Sequence, residues 1–399
     1  MARLAWPYFI KLGVLMRAAP VVALVGAATV SMSLLTGCGD DGGNDGATGA
    51  KGSAAAITVD ATDTTCDVAK KELPAGTTTF KVTNKGSKVT EVYIYAPGDK
   101  IVTERENIGP GTGVELTTQL NAGKYQLACK PGMVGDGIRQ DLTVTGQADH
   151  AADPRLTAAL TAYKAYVNAQ VDDTIATTGK FVAAVKKGDV AEAKKLYAPS
   201  RVGWERIEPV AESFGDLDPR VDLREADLEK GQKWTGWHRL EKALWKTKSV
   251  KGEAQYADQL VKDLAELKAK VSAETLDPPI TPASMANGAK ELLDEVATGK
   301  ITGEEEIFSH TDLVDFAANL DGARKVHELL LPVVREKDAA LAGTLDKEFQ
   351  NVTDLLAEYK KGDGYVSYDT VGKADRKKLS TAVDALAEPL SRLAGVVSR

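Results

Sequence analysis

In Trp237-His238-Arg239-Leu240-Glu241 an imidazole and a carboxylate stand three residues apart. On a helix that spacing puts both side chains on one face, where they can converge. One nitrogen and one oxygen donor held in this way make half of a transition-metal site. The same pair also occurs on helix surfaces where it does nothing but face solvent. More acid lies nearby in the chain. Glu205 and Glu208 repeat the three-residue spacing, Asp222 follows in Pro219-Arg220-Val221-Asp222, and Glu305 lies in Gly303-Glu304-Glu305-Glu306. Each has a structural reading as well. Glu205 and Glu208 would sit on a charged helix face that bends at Pro209, and Thr302 with Glu305 has the spacing of a capping box that opens a helix.

Sulfur offers a second chemistry, through three cysteines. Cys38 closes Leu35-Thr36-Gly37-Cys38 behind an apolar stretch from Ala18 to Leu35, itself preceded by Arg3, Lys11 and Arg17. A charged start, a short apolar core and small residues before a cysteine form the pattern of a bacterial lipoprotein leader. Residues 1–37 therefore read as a signal peptide and Cys38 as the lipidated residue, the stretch being short for a membrane-spanning anchor. Residues 38–55, rich in Gly and Asp, read as a flexible tether. The setting this implies is extracytoplasmic, anchored to the cell membrane and oxidising. There Cys66 and Cys129 are either a disulfide or a pair of metal ligands.

These side chains need elements to hold them. From Ile57 to Val144 short runs of period two, such as Thr79-Phe80-Lys81-Val82-Thr83 and Glu91-Val92-Tyr93-Ile94-Tyr95, are separated by turn residues such as Asn84-Lys85-Gly86 and Ala96-Pro97-Gly98. That predicts a small β-sandwich over 56–146. After a polar join the period becomes helical. Leu156, Leu160, Tyr163, Val167, Val171 and Ile175 keep one apolar face up to a stop at Gly188, and Asp189 with Glu192 has capping-box spacing. Thr281-Pro282 and Gly299 bracket another helix, and long helical stretches run from Ala323 to Tyr359 and from Lys373 to Ala394. Residues 147–399 are too many for one four-helix bundle, so two packed bundles are expected. His310 and His327 read as surface or packing residues, and His150 lies in the join. The net charge of −7 on 399 residues argues against a nucleic-acid partner, whose phosphates call for a basic surface.

The sandwich resembles a cupredoxin. Asn84-Lys85-Gly86 leading to Thr90-Glu91-Val92, and Gly123 through Met133, are similar to its two ligand regions. Thr90 and Met133 stand where a blue-copper protein has histidines, and residues 56–146 contain no His, which excludes a type 1 copper centre. The donors left are Cys66, Glu91, Cys129 and Met133, a softer set favouring copper. The competing reading is a Cys66–Cys129 disulfide with Met133 as core filler. The helical part resembles the imelysin-like domains through Trp204 to Asp218, Gly236 to Trp245 with its GxHxxE motif, Gly303 to Gly322 and Gly364 to Gly395. A cupredoxin-like domain ahead of an imelysin-like one is the arrangement of the EfeO family of bacterial iron uptake components. The resemblance implies metal held in a cleft between helices by His238, Glu241, Glu205, Glu208 and Asp222, with Glu305 joining them. Such a hard, oxygen-rich set suits ferric or ferrous iron and can take zinc. It also implies delivery to an iron permease in the cytoplasmic membrane, with a haem peroxidase as a third partner. Imelysins are catalogued with peptidases, so the alternative is a metallopeptidase. HxxE lacks the second histidine of HExxH and no residue is evidently placed as general base, so the expectation is a carrier and not an enzyme.

Overall fold

The computed structural model describes residues 56–147, 153–228 and 230–398. The leader, the tether with Cys38, and His150 lie outside them. The first domain has nine strands: β1 (Ile57–Ala61), β2 (Cys66–Val68), β3 (Glu72–Pro74), β4 (Gly76–Asn84), β5 (Thr90–Ala96), β6 (Lys100–Ile108), β7 (Gly113–Leu120), β8 (Gly123–Pro131) and β9 (Ile138–Thr145). They form two sheets, in the orders β2-β1-β4-β7 and β3-β9-β8-β5-β6. Alternate residues point inward, as the period-two pattern requires. Phe80 and Val82 from one sheet meet Val92, Ile94, Leu127 and Leu142 from the other in a shared core. This is the β-sandwich that the sequence predicts.

Cys66 on β2 and Cys129 on β8 are joined in a disulfide that ties one sheet to the other, and both are fully buried. The two sulfurs bond to each other, so neither is a thiolate donor. Glu91 faces Lys130 in the β5–β8 register, and Met133 sits in a left-handed turn (φ 58°) with its side chain 37% exposed. The soft donor set of Cys66, Glu91, Cys129 and Met133 is thus not gathered. Among the described residues, groupings able to hold a metal occur only in the helical part.

The second domain contains α1 (Pro154–Lys187), α2 (Val190–Ile207), α3 (Leu217–Val221), α4 (Trp237–Lys242), α5 (Ala254–Ser272), α6 (Pro282–Thr298), α7 (Asp312–Lys337), α8 (Ala339–Ala357), α9 (Lys373–Leu390) and α10 (Leu393–Val397). Helix α1 stops at Gly188, which takes φ 76°, and Asp189 accepts the Glu192 N–H to start α2. Helix α6 opens on a capping box of Thr281 with Ser284. The stretch expected as one helix from 323 to 359 is two, because Asp338 is extended (φ −153°, ψ 79°) and its carboxylate caps the N-terminus of α8. The C-terminal stretch is likewise divided, into α9 and α10. Helices α1, α2 and α5 pack together, α6 to α9 form a second group, and α7 crosses onto α1 and α2. One apolar core runs through both groups.

The sandwich rests on α6. Asn287 donates to Thr103 Oγ1 (3.1 Å) and to the Thr117 carbonyl (2.8 Å), and the buried Arg105 of β6 pairs with Glu291 at 2.5 Å. Helix α6 so covers the open edge of β6, which would otherwise offer unpaired backbone groups to other chains.

Closing a 63-residue separation by a disulfide stabilises a domain by about 4 kcal/mol. The variant Cys66→Ala/Cys129→Ala should therefore unfold its sandwich at markedly lower denaturant concentration while keeping the metal content of the wild type. Loss of metal with the cysteines would instead mean that a thiolate site forms in solution.

Candidate metal centre

The centre begins with a close approach of two chain segments. Trp234 Nε1 donates to the Leu223 carbonyl and Thr235 Oγ1 to the Arg220 carbonyl, both at 2.7 Å, pinning the lead-in of α4 to the end of α3. Gly236 follows with φ 84°, and a Cβ there would lie 2.1 Å from the Val221 carbonyl oxygen. Only glycine fits. The contact places Asp222, just past α3, beside His238, in the first turn of α4.

His238 is 2% exposed. Its Nδ1 faces Glu241 Oε2 at 3.3 Å, one turn along, as the HxxE spacing predicts. Its Nε2 lies 3.4 Å from Asp222 Oδ1 and 3.6 Å from Glu305 Oε1, is buried, and has no hydrogen-bond partner. A histidine whose Nδ1–H is directed at a carboxylate presents Nε2 as the lone-pair donor, the usual way a ligating imidazole is oriented. Separations of 3.4 and 3.6 Å are those of ligands about 2.1 Å from one shared ion.

Glu241 has a second task. Its Oε1 accepts the backbone N–H groups of Phe308 (2.9 Å) and Ser309 (2.6 Å), which fastens the turn that carries Glu305 and Glu306. Here the structure corrects the capping-box reading of Thr302 and Glu305. Gly303 is left-handed (φ 86°), no helix starts there, and both glutamates of the turn face inward. Glu306 accepts from Tyr197 Oη (3.0 Å) and Ser309 Oγ (2.6 Å), and forms a second potential ligand group with His238 and Glu241.

Glu205 and Glu208 do not join His238. They bind a lysine that the sequence reading did not single out, Lys300, whose Nζ is 3.2 Å from Glu205 and 2.9 Å from Glu208, and Asn319 donates to both carboxylates. The reading also missed Arg201. This fully buried guanidinium contacts Asp222, Glu205 at 2.5 Å, Glu306 at 2.9 Å, and Glu305 and Asp315 at 3.6 Å. One signal was available, since Arg201 precedes Glu205 by four residues on the same helix. Nothing in the sequence marked Lys300, which lies in a short turn after α6. His327 packs against Phe349 and bonds Asp346, a structural role.

The charges balance unevenly. Burial and Arg201 push the His238 pKa down, but Glu241, Glu305 and Asp222 outweigh them and raise it to about 9. Burial likewise opposes the charge on Glu305 and Asp222. Lys300, His238 and Arg201 nevertheless hold Glu305 well below the usual carboxylate range, and Arg201 with His238 lowers Asp222. In the absence of a metal, a protonated His238 joins Arg201 and Lys300 as a cation of the site.

Next to this centre, between the sandwich and the helices, lies a cavity of about 600 Å³. Its lining includes Glu104, Glu106, Glu208, Glu212, Asp218 and Glu295. Burial raises Glu212 and Glu295 to about 7 and Asp218 to about 8, helped by neighbouring carboxylates and opposed for Asp218 and Glu295 by Lys300.

The sequence of residues 159–393 matches the family model for imelysin, and that of 28–144 the model for a cupredoxin-like domain. The chain is 41% identical over 349 residues to the iron uptake system component EfeO of Escherichia coli K12, covering 86% of this chain and 91% of that protein. The same figures hold for the proteins of that name from Escherichia coli O157:H7 and Shigella flexneri.

Two outcomes follow from this geometry. Gly236→Ala forces a side chain against Val221, so it should destabilise the protein by about 1–3 kcal/mol and weaken metal binding by separating Asp222 from His238; unchanged affinity in a calorimetric titration would show that this contact does not position the site. The second concerns pH. Groups whose folded pKa is raised favour the folded state while protonated, and that contribution is lost as pH climbs through the folded value. Glu212, Glu295, Asp218 and His238 all have this sign, so the metal-free protein should melt at progressively lower temperature from pH 5 to pH 8, and Asp218→Asn should flatten the slope. A melting temperature that rises over that range would contradict it.

Proposed function

The chain belongs to the EfeO family of iron uptake components, with an imelysin domain behind a cupredoxin-like one, and on that footing we propose that it captures iron outside the cytoplasmic membrane and passes it to an iron permease in that membrane. A haem peroxidase would be the further partner, and Cys38 would carry the lipid that keeps the protein at the membrane. No described helix is long and apolar enough to cross a membrane.

The observation that carries this reading is His238 Nε2, a buried nitrogen without a hydrogen bond, set between Asp222 and Glu305. A polar atom left in this condition costs stability unless something binds it. A hard cation with some affinity for nitrogen meets the need, which fits ferrous or ferric iron and admits zinc. Arg201 and Lys300 already neutralise part of the acid, so an incoming ion competes with them for Asp222 and Glu305. Competition of that kind weakens binding and suits a carrier that must let go.

Hydrolysis is not the reading we favour. A metallopeptidase needs a free carboxylate to take a proton from metal-bound water. The carboxylates facing His238 are engaged by Arg201, Lys300 or backbone amides.

The test is a titration of the mature chain that begins after Cys38 with ferrous iron under anaerobic conditions, comparing wild type with His238→Ala/Glu241→Ala. The double variant should lose one bound equivalent. Equal binding by both proteins would remove the HxxE centre from the function.

A further inference from the structure

We propose that Trp204 is a positioning residue that sets which cations the His238 centre accepts: its indole N–H takes up one oxygen of Asp222, so Asp222 offers a metal ion only the other. Ions that draw on both oxygens of a carboxylate are disfavoured. This role presupposes that the centre captures metal.

Trp204 lies on α2 between Arg201 and Glu205, and its side chain has no solvent exposure. It packs against Trp237 and Phe214, with ring centroids 6.0 and 5.7 Å away. Gly203 lets α2 sit this deep, since a Cβ there would lie 2.4 Å from Thr174 Oγ1 on α1. The indole is thus held in one orientation, and its Nε1–H donates to Asp222 Oδ2 at 2.7 Å. A hydrogen bond to an ionised carboxylate is stronger than one between neutral groups. Packing alone does not demand it. Trp237 is equally buried, and its N–H has no hydrogen-bond partner among the described residues.

The bond gives the two oxygens of Asp222 different partners. Oδ1 faces His238 Nε2 at 3.4 Å and is also bonded by Arg201, while Oδ2 is turned to the indole, with Arg201 Nη2 farther off at 3.5 Å. Glu241 is divided in the same manner, with Oε2 facing His238 and Oε1 accepting two backbone N–H groups. Beside the imidazole, both carboxylates are therefore one-oxygen ligands. Calcium gathers about six to eight oxygens and often takes both from one carboxylate. A transition ion is satisfied with fewer ligands and binds imidazole well. Once the indole N–H is removed, Oδ2 is free to turn toward the ion, and the advantage of the smaller ion narrows.

Anaerobic titration of the mature chain with ferrous iron, alone and in competition with calcium, tests the assignment on wild type and on Trp204→Phe, which keeps an aromatic ring and loses the N–H. Iron affinity should fall about tenfold, the usual cost of losing a hydrogen bond to a metal ligand. Calcium binding should hold or tighten, so the ratio of the calcium to the iron dissociation constant should fall by about tenfold or more. A merely structural role would weaken both ions by one factor and leave that ratio where it was, which overturns the proposal. Should Trp204→Phe fail to fold, benzothienylalanine introduced at the same position by stop-codon suppression keeps the indole outline without the N–H and gives the same readout. A wild type that binds no ferrous iron would overturn the capture reading and this role together. An iron-binding wild type whose preference over calcium survives loss of the N–H overturns this role alone.

Discussion

Arg201 is the residue on which this architecture turns. A guanidinium with no solvent exposure has to be surrounded by charge to stay ionised, and the five carboxylates that do so come from α2, the end of α3, the 305–306 turn and α7. Removing one member of such a cluster leaves the rest buried and uncompensated, which costs far more than the pair is worth in isolation. The elements that frame the His238 centre are thus held in register by a cation that belongs to the protein. The consequence for metal binding is direct. An ion arriving at Asp222 and Glu305 does not meet free acid but acid already bonded, so its net gain is a difference between two cations.

How much of this could be read from the chain depends on the range of the interactions. The HxxE pair was legible because three residues on a helix is a local relation, and the structure keeps it in α4. The cleft acids were legible as acids but not as partners. Glu205 and Glu208 share the spacing of the HxxE pair, yet what they hold in common is Lys300, some 95 and 92 residues away in the chain. Glu305 looked like a helix start because its spacing from Thr302 fits one. What defeats that reading is Glu241, 67 residues back, which takes the Phe308 N–H that a continuing helix would have used. The strand pattern and the change of period near 150 were local signals, and the division into sandwich and bundles followed from them. The fate of Cys66 and Cys129 was open because sequence holds no separation between sulfurs, and only the fold of two sheets brings β2 over β8.

The disulfide also changes what the first domain is for. A cupredoxin-like fold usually earns attention for the metal between its loops, and here that position holds no histidine and its two sulfurs are spent on each other. What the domain offers instead is an edge. Strand β6 ends its sheet, and α6 packs along it through Arg105 and Asn287 while Glu104 and Glu106 are turned into the cavity. Alternation along a strand is what allows this, because neighbouring residues face opposite ways: Arg105 is bonded to Glu291 of the helix and its acidic neighbours are left to the cavity. A wall of this kind works only if it is stiff, since carboxylates that repel one another would otherwise swing apart into water. The apolar core between the sheets and the covalent tie from β2 to β8 supply that stiffness, so the sandwich holds acid in place against the helices.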